Sequence, residues 1–177
     1  MLIFLFLQYW DIDKPLVGWA KTIFCHCFFD RKIFFIDVPP MNCYNNAIFY
    51  RTIETIHRWI GRTDTNILIN IDSKQIKQAL LNIFLNAIDA MTNGGTLTVN
   101  SHINNNRNNL IIEISDTGSG IDPNDLTHIF DPFFSKKDHG TGLGLSITFE
   151  IIKNHNGKII AKSRLGEGTT FRIELPI

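Results

Sequence analysis

Asn82 and Asn86 stand four residues apart in NIFLNAIDAM (82–91), a spacing that on a helix turns both amides the same way. A neutral amide oxygen suits Mg²⁺, a hard cation that keeps several waters and takes phosphate oxygens at about 2.0–2.1 Å. Asn86 is therefore a candidate metal anchor, although the pair equally suits a solvated helix face. Asp116 opens a second stretch, DTGSGI (116–121), directly after an apolar run; Gly118 and Gly120 permit a tight turn and the close approach of a flat ligand. A carboxylate held there can accept a hydrogen bond from the exocyclic amine of adenine, whereas guanine would set a carbonyl oxygen against it. Asp116 would so favour ATP over GTP. Taken alone, it also reads as an ordinary turn aspartate.

A third stretch, GTGLGLSI (140–147), sits just before a helix-like run, where backbone N–H groups and a helix N-terminus can receive phosphate oxygens. It is not a Walker loop, since no Gly-Lys-Ser/Thr follows, and its G-x-G-x-G spacing is not that of dinucleotide folds. Between the last two lies FDPFF (130–134), whose aromatics read as a hinge under a mobile lid. Lys136 and Lys137 are its candidates to meet phosphate. The alternative is a hydrophobic staple with solvated lysines, and Lys136 fits that alternative better than Lys137.

These residues need elements to position them. NILINI (66–71) reads as a strand, and Asp72 with Gln75 as a capping box opening a helix to about Met91. Ile76, Ala79, Leu80, Ile83, Ala87, Ile88 and Met91 supply its core face, leaving Gln78, Asn82, Asn86 and Asp89 on another. TLTVNSHI (96–103) and LIIEIS (110–115) read as strands joined by the loop NNNRNN. A helix from Leu143 to His155 stops at Asn156-Gly157, and strands follow at 158–163 and 169–175. The order predicts an α/β (α+β) two-layer sandwich, a mixed β-sheet with helices packed on one face.

Composition shifts near residue 60, which divides the 177-residue chain into a segment 1–60 of unassigned fold and an ordered domain 61–177. AIFYRTIETIHRWI (47–60) reads as a short helix leading into that domain. Lys+Arg and Asp+Glu both number 17, so no overall field draws the chain to nucleic acid. Cys25, Cys27 and Cys43 do not form a disulfide framework, and a reducing cytoplasmic setting is expected. Cys25-His26-Cys27 has a poor zinc spacing, so buried thiols are the better reading. The opening MLIFLFLQYW is too short to span a bilayer and lacks a basic start and a cleavage site. It reads as a buried element, with peripheral membrane association through residues 1–29 as the alternative.

In this order and on these elements the four stretches resemble the ATP-binding catalytic domain of sensor histidine kinases, in the superfamily shared with gyrase, MutL and heat-shock chaperones. The resemblance covers residues 66–177, including GEGTTFRIELP (166–176), which looks like that family's last hairpin. It implies ATP and Mg²⁺ as cofactors, with Asn86 the metal ligand and Asn82 its partner one turn earlier. It makes Asp116 the adenine ligand between Gly118 and Gly120, matches Phe130 and Phe133 to the family's aromatic box, and Lys137 to its lid lysine. Gly140, Gly142 and Gly144 match the second glycine box. With Asp89, Ile121, Thr141, Leu143 and Thr169 these residues form the candidate cofactor-binding set.

In the gyrase-like relatives a Glu one turn before the metal Asn activates water; here Asn82 stands there and cannot act as a general base near neutral pH. Phosphoryl transfer needs positioning and charge neutralisation above all, so the resemblance implies transfer to a histidine. No acceptor motif is found. His26 precedes Cys27, His57 precedes Arg58, and His102, His128, His139 and His155 lie within the domain. The expected partners are a histidine-containing dimerisation domain acting in trans and a response regulator, since no receiver segment follows Ile177. The alternatives are a non-catalytic ATP-binding module, a remnant of a disrupted kinase, and an anti-sigma-type serine kinase.

Overall fold

The computed structural model describes residues 25–28, 33–38, 69–137 and 140–177. In chain order the elements are β1 (Cys25–Phe28), β2 (Ile33–Val38), α1 (Ser73–Ala90), β3 (Gly95–Ile103), β4 (Asn109–Asp116), the single turn α2 (Pro123–Leu126), α3 (Gly144–Asn154), β5 (Lys158–Arg164) and β6 (Gly168–Pro176). Asp72 starts α1 by accepting the N–H groups of Lys74 and Gln75 at 2.8 and 3.2 Å, two donors the first turn leaves unpaired. The other half of the expected capping box is replaced. The Asp72 N–H donates to His155 Nε2 at 2.9 Å, and His155 Nδ1 meets the Ile151 carbonyl at 2.7 Å, which fixes the neutral Nδ1–H tautomer. One imidazole so ties the start of α1 to the end of α3.

Ile76, Ala79, Leu80, Ile83, Phe84 and Ala87 recur every three or four residues and are all buried, so α1 lays one stripe on the sheet. The strands answer with alternation: Leu97 and Val99, then Leu110, Ile112 and Ile114, then Phe171, Ile173 and Leu175 point into the same core. Register pairs like with like, Ile112 with Ile173 and Ile114 with Phe171. α3 adds Ile151 and Ile152 beside α1, completing helices on one face of a sheet in the expected two layers.

The sheet runs β1-β2-β3-β4-β6-β5 and every described pairing is antiparallel, a correction to the mixed sheet expected. The crossover through α3 does return β5 in the direction of β4, as a parallel unit would. The β5–β6 hairpin then folds β6 between them, so the parallel strands never touch. A second correction concerns 66–71, whose described part, Ile69 to Ile71, is irregular rather than a strand. Ile69 and Ile71 pack on the core, and the edge of β3 is taken by β2, with Ile36 opposite Leu97. Two strands from the segment left without a fold thus extend the sheet. The helix read at 47–60 and the apolar opening lie outside the described residues. Among those described, no helix is long and apolar enough to cross a membrane.

Candidate functional site

β4 ends on Asp116, which is 7% exposed. Its Oδ1 accepts the N–H of Gly118 at 2.8 Å and that of Thr169 at 3.2 Å. Burial pushes the carboxyl above the ordinary aspartate value, and the two backbone bonds oppose that rise. No buried side-chain polar atom among the described residues lacks a partner, so Oδ2, which takes part in neither bond, opens on solvent. The turn that follows is held by backbone. A Cβ on Gly118 would sit 2.7 Å from Ala90, one on Gly120 (φ +69°) 2.0 Å from the Arg164 carbonyl, and one on Gly168 2.0 Å from the Asp116 carbonyl. Ser119 N–H donates to the Ala90 carbonyl at 3.0 Å and Gly166 N–H to that of Ser119 at 2.7 Å, closing the turn on α1 and the β5–β6 link. Ile121 N–H donates to Ser163 Oγ at 2.8 Å, and Ser163 also reaches Thr169 Oγ1 at 3.0 Å.

The second glycine stretch enters α3. Asp72 caps α1 and Asp122 caps α2 with side-chain oxygens, but Leu143 at the N-cap of α3 has none to offer. The first-turn N–H groups of α3, those of Gly144, Leu145 and Ser146, are therefore the donors that await an external acceptor. Asn82 fixes this end to α1: its Nδ2 donates to the Gly144 carbonyl at 2.9 Å and lies 3.3 Å from Thr148 Oγ1. Thr148, fully buried, donates to the same carbonyl at 2.9 Å. Gly142 (φ +67°) lets the loop pass Phe133, whose N–H donates to the Gly142 carbonyl at 3.1 Å.

The aromatic stretch divides. Phe130 packs against Phe149 and Phe171 at centroid distances of 5.5 and 6.5 Å, and Phe134 lies on the core margin. Phe133 holds φ +66° and is 77% exposed, so it is no part of the packed hinge. The lysines divide as well. Lys136 pairs with Asp125 on α2 at 2.5 Å, away from the site. Lys137 Nζ lies 3.0 Å from Asn86 Oδ1 and 2.7 Å from Asp89 Oδ2, within it.

All of these segments converge on one helix. Gly118 and Ser119 meet α1 at Ala90, Lys137 meets it at Asn86 and Asp89, and Gly144 meets it at Asn82. At 1.5 Å per residue the stretch from Asn82 to Ala90 spans about 12 Å. Residues 71–177 match the family described as histidine kinase-, DNA gyrase B- and HSP90-like ATPases. The chain belongs to this family. It is 37% identical over 131 residues to sporulation kinase A of Bacillus subtilis (strain 168), covering 74% of this chain and 20% of that protein. With the sensor histidine kinase ZraS of Salmonella typhi it shares 43% over 109 residues, 62% of this chain and 23% of that one. The nucleotide-free catalytic domain of histidine kinase ThkA aligns at 31% identity and a TM-score of 0.58, over 75% of this chain and 93% of that structure. The chain thus spans about a fifth to a quarter of the length of those two curated kinases. These relatives bear out the resemblance to the ATP-binding catalytic domain of histidine kinases.

Two contributors to the site escape a reading of motifs. Thr148 is one, and its only signal is the i, i+4 spacing from Gly144. Ser163 is the other, for it reaches the Asp116 turn from a strand more than forty residues later in the chain, beside Thr169, which the candidate set already included.

Proposed function

We propose that this chain binds Mg-ATP between α1, the Asp116 turn and the start of α3, and transfers the γ-phosphate to a histidine supplied in trans. The observation that carries the reading is the order along α1: a buried carboxylate at the Ala90 end, an amide oxygen in the middle, and an uncapped helix N-terminus at the Asn82 end. Asp116 Oδ2 would accept the exocyclic amine of adenine, with Thr169 holding the carboxylate in place. The N–H groups of α3 would receive phosphate oxygens.

The donor set also fits magnesium. Among the described residues no three His, Cys, Asp or Glu side chains gather into a cage; the protein offers Asn86 Oδ1, and nucleotide phosphates and water would bring the remaining oxygens, the habit of Mg²⁺ rather than of zinc. Bound there, the ion would neutralise phosphate charge. Asn82 spends its N–H₂ on the Gly144 carbonyl, and an amide takes no proton from water, so ATP hydrolysis should be slow.

The acceptor is sought elsewhere. His155 has both ring nitrogens engaged, and His128 Nδ1 is held by Asp131 at 2.8 Å. The partner proposed is a histidine-bearing helical dimerisation domain, with a response regulator downstream. The test incubates the purified chain with labelled Mg-ATP, with and without such a helix pair, and scores acid-labile label. Label only on the added helices is the expected result. Label on the chain alone would point to a histidine in residues 1–60. ATP binding without label would leave a regulatory ATP-binding module, and acid-stable label on serine an anti-sigma-type kinase.

A further inference from the structure

We infer that Asp89 is a docking post for the lid lysine rather than a nucleotide ligand, and that Lys137 holds the magnesium position until a nucleotide displaces it. The inference deepens the Mg-ATP reading above and rests on it for the exchange step alone. Asn86 and Asp89 are three apart on α1, so their side chains neighbour each other on its surface. The Lys137 ammonium bridges them, 3.0 Å from Asn86 Oδ1 and 2.7 Å from Asp89 Oδ2. That amide oxygen is the atom the proposed function gives to the metal.

The two cations exclude one another. A magnesium ion on Asn86 Oδ1 at about 2.1 Å would lie within about 5 Å of an ammonium 3.0 Å from the same oxygen. A dication and a monocation at that separation, with no anion between them, repel. Free Mg²⁺ therefore meets a site already neutralised by an internal charge. A nucleotide changes the balance, because its phosphates give the ammonium another anion to pair with and screen it from the metal. Lys137 then turns from Asp89 to phosphate.

Lys137 is well placed for this role and Lys136 is not. Ser135 Oγ accepts the Lys137 N–H at 3.1 Å and so sets the direction of the residue, while Lys136 is pinned outward on Asp125. The pair is half exposed, with side-chain exposures of 48% for Lys137 and 39% for Asp89, so it holds the lid weakly and can exchange. An Asp89 that bound the triphosphate directly would set a carboxylate against like charge. Held against an ammonium, it is neutralised.

The test uses the Asp89→Asn variant, which keeps the size of the side chain and both lid lysines. In the absence of nucleotide, trypsin should cut after Lys136 and Lys137 about two- to fivefold faster than in the parent chain, the range a weak exposed pair supplies. Mg-ADP affinity, read by calorimetric titration, should rise about two- to threefold, because no latch remains to be broken. In a Lys137→Gln background, where the cut after Lys136 remains, Asp89→Asn should add nothing to the cutting rate. Unchanged cutting in the single variant would overturn the latch. A tenfold loss of Mg-ADP affinity would make Asp89 a ligand and overturn the assignment. A parent chain that binds no Mg-ADP would overturn the nucleotide reading and the exchange with it, while the cutting rates still decide the latch by themselves.

Discussion

The two glycine turns of the site are built on opposite plans. The turn at 116–121 is hemmed in mainly by the backbone of distant elements, Ala90 from α1, Arg164 and Gly166 from the β5–β6 hairpin, and Gly168 and Thr169 from β6, with Ser163 Oγ added at Ile121. The turn at 140–144 meets backbone only within its own loop, at Phe133 and, through the Gly140 N–H, at the Lys137 carbonyl 3.1 Å away; its tie to the rest of the site is a side chain, Asn82 at its end, with Ser135 beside Gly140. A purine ring is rigid and needs a surface formed in advance; phosphates change in number and charge through a reaction and need donors that can follow. The preformed end is paid for in folding, and the adaptable end is left to the ligand.

The largest effects should therefore come from adding one carbon to the first turn. Gly120→Ala and Gly168→Ala place a methyl 2.0 Å from a carbonyl oxygen at φ +69° and +107°. Strain and overpacking together should cost about 3 kcal/mol or more, read as a shift of the urea midpoint. Gly166→Ala is the control. It has a similar φ, +80°, but nothing within 4 Å, and should cost about 1 kcal/mol. Equal losses at 120 and 166 would mean that the turn is not clamped as described.

Asp116→Asn separates binding from stability in the same turn. An Asn that keeps its one oxygen on the Gly118 and Thr169 N–H groups turns its N–H₂, a donor, towards the adenine amine, so ATP affinity should fall about 10- to 100-fold, the scale of a hydrogen bond to a charged group. Stability should move the other way. The carboxyl is raised by burial in the folded chain, so folding binds the proton more tightly than the unfolded chain does. The stability this contributes is complete below the unfolded value and is lost as pH rises through the folded one. At neutral pH the Asn variant should be as stable as the parent or more so, and the gain should vanish at pH values below the ordinary aspartate range. Urea melts across pH measure it; a variant losing stability at pH 7 would place Asp116 in a favourable ion pair instead.

A smaller effect is expected where the second turn is tied down. Asn82→Ala removes the donor to the Gly144 carbonyl, which keeps Thr148 as a partner, so stability should fall by about 1 kcal/mol. Affinity for ADP should fall more than affinity for adenosine, because the displaced element carries the phosphate donors. Equal losses for both ligands would show that Asn82 supports the whole pocket.

The same contrast explains what the sequence made legible. Local rules give α1, its cap at Asp72 and the buried stripe, because helical spacing and capping act within a few residues. The hairpins β3–β4 and β5–β6 follow from alternation and turn residues. Strand neighbours are different: β6 lies between β4 and β5 because a late hairpin inserts there, and β2, from a segment with no clean periodicity, takes the edge of β3, choices made by competition across the chain. Motif spacing likewise yields Asn86, Asp116 and the glycines. It prefers Lys137 to Lys136 only through the family resemblance, since adjacent lysines in a lid differ in the anion each one finds, Asp125 or Asp89.

Gly144→Ala gives the finest test of the comparison, because it adds the same methyl to the last glycine of the second box. The new Cβ would find Asn82 at 3.7 Å, an ordinary contact, and Gly144 is the first residue of α3, where its backbone is not in the left-handed region. In a helix Ala is favoured over Gly by about 0.5–1 kcal/mol, so the variant should be slightly more stable than the parent. The N–H groups of the first turn keep their direction, and ADP affinity should change by no more than about twofold if phosphate is received by the backbone. A large loss of affinity with stability intact would mean that phosphate passes within a methyl's reach of residue 144, as close to that backbone as Asp116's own turn lies to its neighbours.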